Sequence, residues 1–376
     1  MNVQGFAAYN QANGFRKGDE LLSQIAEIIR VYWPNRLLSR VGADHFILMT
    51  YDEDLTGRLQ QLQNSVRRDT GVSVQAGIYY NQPGEPSNLC CDRAMMACNS
   101  IHQDKKRLCV VYDSNLGEMK ARQQYIFDHI DEAIAAGHIL TYYQPIIDAR
   151  TGRICHEEAL VRWRDPAFGI LSPAAFVPVL EQNHLTALLD LTMLDNVIRD
   201  LREKEKAGIR LVPVSVNLSR YDFESCDMVT EICDRVDRSG YPRDLFVMEI
   251  TESAFAKDSN LIRREVNRFR EEGFQVWMDD FGSGYSTLNT LQTFEFDVMK
   301  IDMQFTRGLT RDSRNYVILS EMIRMADKLG IGTVCEGIET EEQREIMREL
   351  GCSQLQGYFF GKPENLITTI AKRAEA

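Results

Sequence analysis

The sequence predicts an α/β protein: a (β/α)8 TIM-type barrel preceded by a small α/β domain. Three observations carry this. From about Tyr125 onward, short apolar runs alternate with helical stretches over ~250 residues, the span of one such barrel. Polar residues fall at or just after the ends of those runs, one run after another. The 376-residue chain is too long for one typical domain and comfortable for two.

The front of the chain is read first. Gly18 to Tyr32 has helical spacing through Leu21, Leu22, Ile25, Ile28 and Ile29. Leu37 to Thr50 reads as two short strands around Gly42-Ala43-Asp44. Gln60 to Arg68 is a polar helix, Val72 to Tyr80 alternates as a strand, Asn88 to Ser100 is helical, and Leu108 to Tyr112 is a last strand. Three segments follow from this: 1–113, a linker helix over 114–124, and the barrel over 125–376.

In the second part the strand-like runs are Leu140–Ile147, Cys155–Val161, Leu211–Val216, Leu245–Ile250, Val276–Met278, Val298–Ile301 and Ile331–Val334. Helices lie between several of them, at Leu185–Arg202, Met228–Arg235, Leu261–Glu271 and Tyr316–Leu329. The stretch from Val276 to Leu288 organises the rest. Its apolar run ends in Asp279-Asp280, and the glycine-rich turn Gly282-Ser283-Gly284 follows. Adjacent carboxylates repel each other unless a cation lies between them.

The pair has company. The other runs end in or near Glu158, Asn217, Glu249 with Glu252, Lys300, Glu336 and Gln356. In a barrel all these ends open on one face, where catalytic residues collect. The cluster holds carboxylates and an amide but no Cys or His, which suits Mg2+ or Mn2+ better than Zn2+. Two such ions can clamp the oxygens of a phosphodiester. Lys300, apolar on both sides, can neutralise charge developing on the phosphate.

Composition narrows the partners. The net charge is −12 and the sequence pI about 5.1, which argues against nucleic acid or an anionic membrane surface as the main partner. The nine cysteines are scattered without a C-x-x-C pair, so reduced thiols and a cytoplasmic location are expected. No apolar run approaches ~18 residues, so no membrane contact is expected. An upstream segment before Met1 is compatible with the patterning.

The motifs resemble one family. Glu158-Ala159-Leu160 in HEEALVRW, with Tyr143-Gln144-Pro145-Ile146 before it, looks like the EAL domain of cyclic di-GMP phosphodiesterases. VNLS, EITES, DDFGSGYSTL, MKID, CEGIE and LQGYFFGKP resemble that family's motifs, in its order, over about residues 125 to 370. The resemblance implies a barrel with one antiparallel strand, two Mg2+ or Mn2+ ions, hydrolysis of cyclic di-GMP to linear pGpG, and a homodimer formed through the barrel. It places one metal on Glu158, Asn217, Glu249 and Asp279 and the second on Asp279 and Asp280. It gives Lys300 the attacking water or phosphate, Glu336 the orientation of Lys300 or the metal shell, and Gln356 an outer water. Gln144, Leu160 and Arg162 would contact the nucleotide, and Glu252 would anchor the loop Phe281–Ser286. Ser353 departs from the family, which often has Asp there. The alternative is a barrel that captures cyclic di-GMP and signals without cutting it.

The front resembles a GGDEF diguanylate cyclase domain, shortened and altered. Arg40-Val41-Gly42-Ala43-Asp44-His45-Phe46 occupies the signature, with Ala43 for the second Gly and His45 for the acidic base. Asn2 and Gln4 stand where the family has paired Asp, and Asn99 where a phosphate-binding Lys is usual. Trp33-Pro34-Asn35-Arg36 replaces the inhibitory Arg-x-x-Asp. The resemblance implies no cyclase activity. Asn10 and Asp19 resemble the guanine-reading pair, so GTP binding to a regulatory domain is a further expectation.

Overall fold

The computed structural model describes every residue except 43, 53, 102–106, 256–258, 284–286 and 375–376, and the side chains of 259 and 287–289 are likewise outside the description. Ala43 and the loop residues 284–286 of the expectations above therefore lie outside the described residues. The chain divides into two compact units, Met1–Tyr125 and Ile126–Ala376. A single helix, Ser114–Ala135, runs through the division.

In the first unit, strand Val74–Ile78 pairs antiparallel with Asn2–Val3 and parallel with Cys109–Val111. Leu37–Arg40 and Phe46–Met49 form a separate hairpin. Helix Phe15–Tyr32 buries Leu21, Leu22, Ile25 and Ile29 on one stripe, the period seen in its sequence. They pack with Leu59, Leu62 and Val66 of helix Leu55–Thr70, which extends the expected helix at both ends. Its start is set by Asp54, whose carboxylate accepts from Gly57 N at 2.9 Å, an N-cap.

The second unit is a closed barrel of eight strands: β1 (Ile139–Asp148), β2 (Ile154–Asp165), β3 (Val214–Leu218), β4 (Phe246–Thr251), β5 (Gln275–Phe281), β6 (Val298–Ile301), β7 (Gly332–Cys335) and β8 (Gln354–Gln356). β1 is antiparallel to both its neighbours, β2 and β8, while every other neighbouring pair is parallel. The strands read as continuous apolar runs because both faces are covered. Phe246, Met248 and Ile250 of β4 belong to the large core around the barrel. Val247 points inward, into a small floor with Ile146, Trp277, Val298 and Val334.

Three differences from the sequence expectation bear on the barrel's architecture. β3 starts at Val214, not Leu211, because Pro213 cannot donate to a ladder. β5 continues through Asp279 and Asp280 to Phe281, which pairs with Ile301, so the acidic pair lies within the strand and not at its very end. Helix Pro173–Gln182 is absent from the helices expected above; Pro173 sits in its first turn, where a missing N–H costs nothing.

Candidate active site

Strand alternation selects the inward face. In the layer above the apolar floor it brings in Gln144 of β1, Glu158 of β2, Asn217 of β3, Glu249 of β4, Asp279 of β5, Lys300 of β6 and Gln356 of β8. Glu158 pairs in register with Gln144, and Glu249 with Asn217. Glu336 follows β7 at once. Leu160 and Arg162 continue the same face of β2 towards the mouth.

Lys300 stands at the centre, buried to 1% exposure. Its Nζ lies 2.8 Å from Glu249 Oε2, 3.0 Å from Asp279 Oδ1, 3.0 Å from Glu336 Oε1 and 3.3 Å from Glu158 Oε2. Burial favours a neutral amine, but Asp279, Glu158, Glu249 and Glu336 outweigh it and hold the ammonium well above its ordinary range. Burial raises the Glu249 carboxyl well above its usual range despite Lys300. Burial likewise pushes Glu336 up to about 8, against the opposing pull of Lys300. Glu158 is as deeply buried, yet Lys300 and the amides of Gln356 and Asn217 draw its carboxyl below the usual value.

Those amides orient Glu158. Gln356 Nε2 donates to Glu158 Oε2 at 2.6 Å, and Asn217 Nδ2 donates to Glu158 Oε1 at 3.1 Å. Gln356 Nε2 also reaches Gln144 Oε1 at 3.2 Å, and Gln144 Nε2 donates to Gly361 O at 3.1 Å. Gln144 thus joins the cluster to the backbone that follows β8. Ser353 holds the start of β8: its N–H donates to Thr333 Oγ1 at 3.1 Å.

Neighbouring residues of a strand normally face opposite sides. Asp280 escapes this rule with a left-handed backbone, φ 56°, and a pairing irregularity between Met278 and Phe281. Asp is among the few non-glycine residues that take this conformation readily. Carboxylate oxygens of Asp279, Asp280 and Glu336 consequently lie within 4.8 Å of one another. Burial and the neighbouring Asp279 raise the Asp280 carboxyl to about 6. The residues after it are braced: Gly282 N donates to Glu252 Oε2 at 3.0 Å, and Gly282 O accepts from Gln304 Nε2 at 2.9 Å. Gly282 has φ 96°, and a Cβ there would meet the Phe305 ring at 2.5 Å, so only glycine fits.

The donor set fits a hard divalent cation. Four carboxyl groups converge on one ammonium with Asp280 beside them, Glu249 Oε1 is buried without a hydrogen-bond partner, and every candidate ligand atom is an oxygen or an amide. Sequence reading took Glu336 only as an orienting residue; its closeness to both aspartates was not visible because it depends on the backbone turn at Asp280.

Fold and site together define a (β/α)8-type barrel with an oxygen-rich acidic cluster at its centre. A family model described as "EAL domain" matches residues 128–363, and the chain belongs to the EAL domain family. It is 29% identical over 99% of its length to the bifunctional diguanylate cyclase/cyclic di-GMP phosphodiesterase MucR of Pseudomonas aeruginosa, covering 56% of that protein. It is 28% identical over 96% of its length to the cyclic di-GMP phosphodiesterase NbdA of the same organism, covering 48% of it. The chain thus spans about half the length of these curated relatives. Among solved structures, the PaMucR phosphodiesterase in complex with c-di-GMP superposes with a TM-score of 0.61 at 29% identity, over 65% of this chain and 99% of that one. An EAL domain protein from Listeria monocytogenes gives 0.57 at 29% identity, over 66% and 98%. No described helix is long and apolar enough to cross a membrane.

Proposed function

We propose that this chain is a divalent-metal-dependent phosphodiesterase that opens cyclic di-GMP to linear pGpG. The observation that carries the reading is the buried Lys300 ammonium among four carboxylates, three of them buried, with Asp280 turned to the same side as Asp279. The names of MucR and NbdA support the substrate. Glu158, Asn217, Glu249 and Asp279 would hold one Mg2+ or Mn2+ ion, and Asp279 with Asp280 a second, Glu336 being in reach of both aspartates. Bound there, such ions supply Lewis-acid stabilisation of the scissile phosphodiester oxygens.

The chain's own residues do the rest. Lys300 presents a fixed positive charge to the phosphate, in surroundings too dry to screen it. Glu336 holds the ammonium from one side. Gln356 and Asn217 fix the plane of the Glu158 carboxylate, the outer support that tunes such ligands. Gln144 reaches the nucleotide through the turn it pins at Gly361, while Leu160 and Arg162 line the mouth. Residues 1–113, connected through 114–124 to the barrel at 125–376, form a non-cyclase regulatory domain of GGDEF type. Asn10, whose Oδ1 is buried without a partner, and Asp19 are the groups to read a guanine of GTP. A homodimer through the barrel and a cytoplasmic location belong to the same reading.

The test is turnover. With Mg2+ or Mn2+ the protein yields pGpG from cyclic di-GMP, and EDTA stops it. Absence of product at micromolar enzyme over hours overturns the reading.

A further inference from the structure

Glu157 and Glu158 are adjacent and identical in chemistry, yet only Glu158 faces the acidic cluster. Alternation sends Glu157 to the outer face of β2, where it is buried. Lys204 Nζ donates to Glu157 Oε2 at 2.6 Å, and Arg373 Nη2 lies 2.9 Å from Glu157 Oε1. Lys204 is as deeply buried as Lys300, and its Nζ lies 3.5 Å from the Tyr143 ring centroid. The barrel wall thus has a buried ammonium on each side, each taking one glutamate.

Lys204 belongs to a row. On helix Thr186–Lys206 the buried polar residues Asn196, Asp200 and Lys204 follow one another at i, i+4 spacing, so they share one face. Asn196 Nδ2 donates to Ile139 O at 3.0 Å, and Asp200 Oδ2 accepts from the Tyr143 hydroxyl at 2.9 Å. Both contacts are on β1. Lys204, a turn further along, holds β2. The helix therefore relates the position of one strand to that of the other.

An alternative register lies close by. Ile146 pairs with His156 but Ile147 with Ile154, so Cys155 has no counterpart on β1. Such a bulge sets the register of all that follows it. Were Cys155 to pair with Ile146 instead, Glu157 would stand opposite Gln144 and point inward, and His156 would stand where Glu157 now meets Lys204. Ala159 and Val161 would take the places of Leu160 and Arg162. The central layer would keep one glutamate, but the mouth would lose Arg162. Apolar residues often fill the space of a buried ion pair at no loss of stability, so stability alone does not account for Lys204. A buried ammonium does demand a carboxylate, and that separates the two registers.

We propose that the Lys204–Glu157 pair locks the bulged register of β1 against β2 and so selects Glu158, not Glu157, as the inward glutamate. Glu157 and Lys204 are then positioning residues. The proposal rests on the metal-site reading given above.

The test is Mn2+ affinity by calorimetry, without substrate. In the wild-type background Glu158→Gln weakens Mn2+ binding about tenfold or more, the scale set by loss of even an outer support. In Lys204→Met the same substitution costs several-fold less, because the freed Glu157 enters in its place, a coupling of the size that contacting residues show. In Lys204→Met combined with Glu157→Leu, where no second carboxylate is at hand, the full cost returns. Lys204→Met also raises the KM for cyclic di-GMP, since Arg162 leaves the mouth. A pair that only stabilises the fold would lower the melting temperature of Lys204→Met and leave the Glu158→Gln cost as it was. Where Lys204→Met does not fold, Lys204→Gln serves the same comparison. An equal Glu158→Gln cost in all three backgrounds overturns the lock and leaves the hydrolytic reading intact. Wild-type protein that binds no Mn2+ overturns both.

Discussion

Glu252 Oε2 accepts the backbone N–H of Gly282 at 3.0 Å, joining the end of β4 to the turn that leaves the paired aspartates. Glu252 is buried to 3% exposure, and it stands three residues after Glu249. The carboxylate therefore acts on backbone, fixing where the chain turns after Asp280.

Removing that acceptor frees the turn. Glu252→Ala is expected to lower turnover of cyclic di-GMP at least about tenfold, as loss of outer support does for ligand sets of this kind. It also raises the Mg2+ concentration for half-maximal rate. Glu252→Gln, which retains an acceptor oxygen, keeps more activity. Circular dichroism of both variants matches wild type. Wild-type rate and metal dependence in Glu252→Ala would make Glu252 a packing residue only.

Lys300 has two separable effects. As the charge facing the phosphate, its loss in Lys300→Ala lowers kcat by about 10²–10³ or more. As the one ammonium at the convergence of four carboxylates, its loss leaves buried like charges uncompensated, a cost of about 3–5 kcal/mol in metal-free protein. The melting temperature of Lys300→Ala in EDTA therefore falls, and Mn2+ raises it by more than it raises wild type. Equal metal-induced shifts in the two proteins would contradict the arrangement.

Half-buried Asp190 and fully buried Asp222 form an acidic pair outside the site, both accepting from Ser219 N, at 3.3 and 2.7 Å. Burial raises both carboxyls, and for Asp190 the charge of Asp222 raises it further. A carboxyl whose pKa is higher folded than unfolded binds its proton more tightly in the folded state. Stability from this pair is thus complete below about 4, where both states are protonated, and declines as pH rises towards the folded values. Asp190→Asn replaces the ionising group by a donor to Asp222. It is expected to raise the melting temperature at pH 8, to change it little at pH 4, and to flatten the profile between. A variant less stable than wild type at pH 8 contradicts this.

The front unit is expected to make no cyclic di-GMP from GTP and Mg2+. Asn2 offers an amide where a metal carboxylate is needed, and the His45 ring is engaged by Asp44, Nδ1 to Oδ1 2.8 Å. Glu158→Gln, which removes hydrolysis, is the background for the assay. Accumulating cyclic di-GMP there would overturn the assignment.

The barrel was legible because buried parallel strands are apolar on both faces and their polar ends recur at one rim. Every residue expected at the site except Glu252, Glu336 and Asp280 lies on a regular inward position, so alternation alone predicts its direction. The length of β5 was not legible: the apolar run stops at Met278 with the two aspartates at its end, and the left-handed Asp280 lets the strand carry on to Phe281. Nor was the role of Gln144, since its partner at Gly361 is a backbone carbonyl 217 residues away and no side-chain pattern signals it.

Glu158 and Gln356 stand 198 residues apart in the chain and 2.6 Å apart in the barrel. No shorter stretch of the polypeptide contains both halves of that contact. On the ribosome, β2 with Glu158 emerges long before β8, so the cluster cannot assemble until the seam between β8 and β1 closes. A truncated translation product that stops before Gln356 therefore keeps the Asn217 contact to Glu158 but lacks the amide that fixes Glu158 Oε2, so the carboxylate is held from both sides only once the last strand is in place.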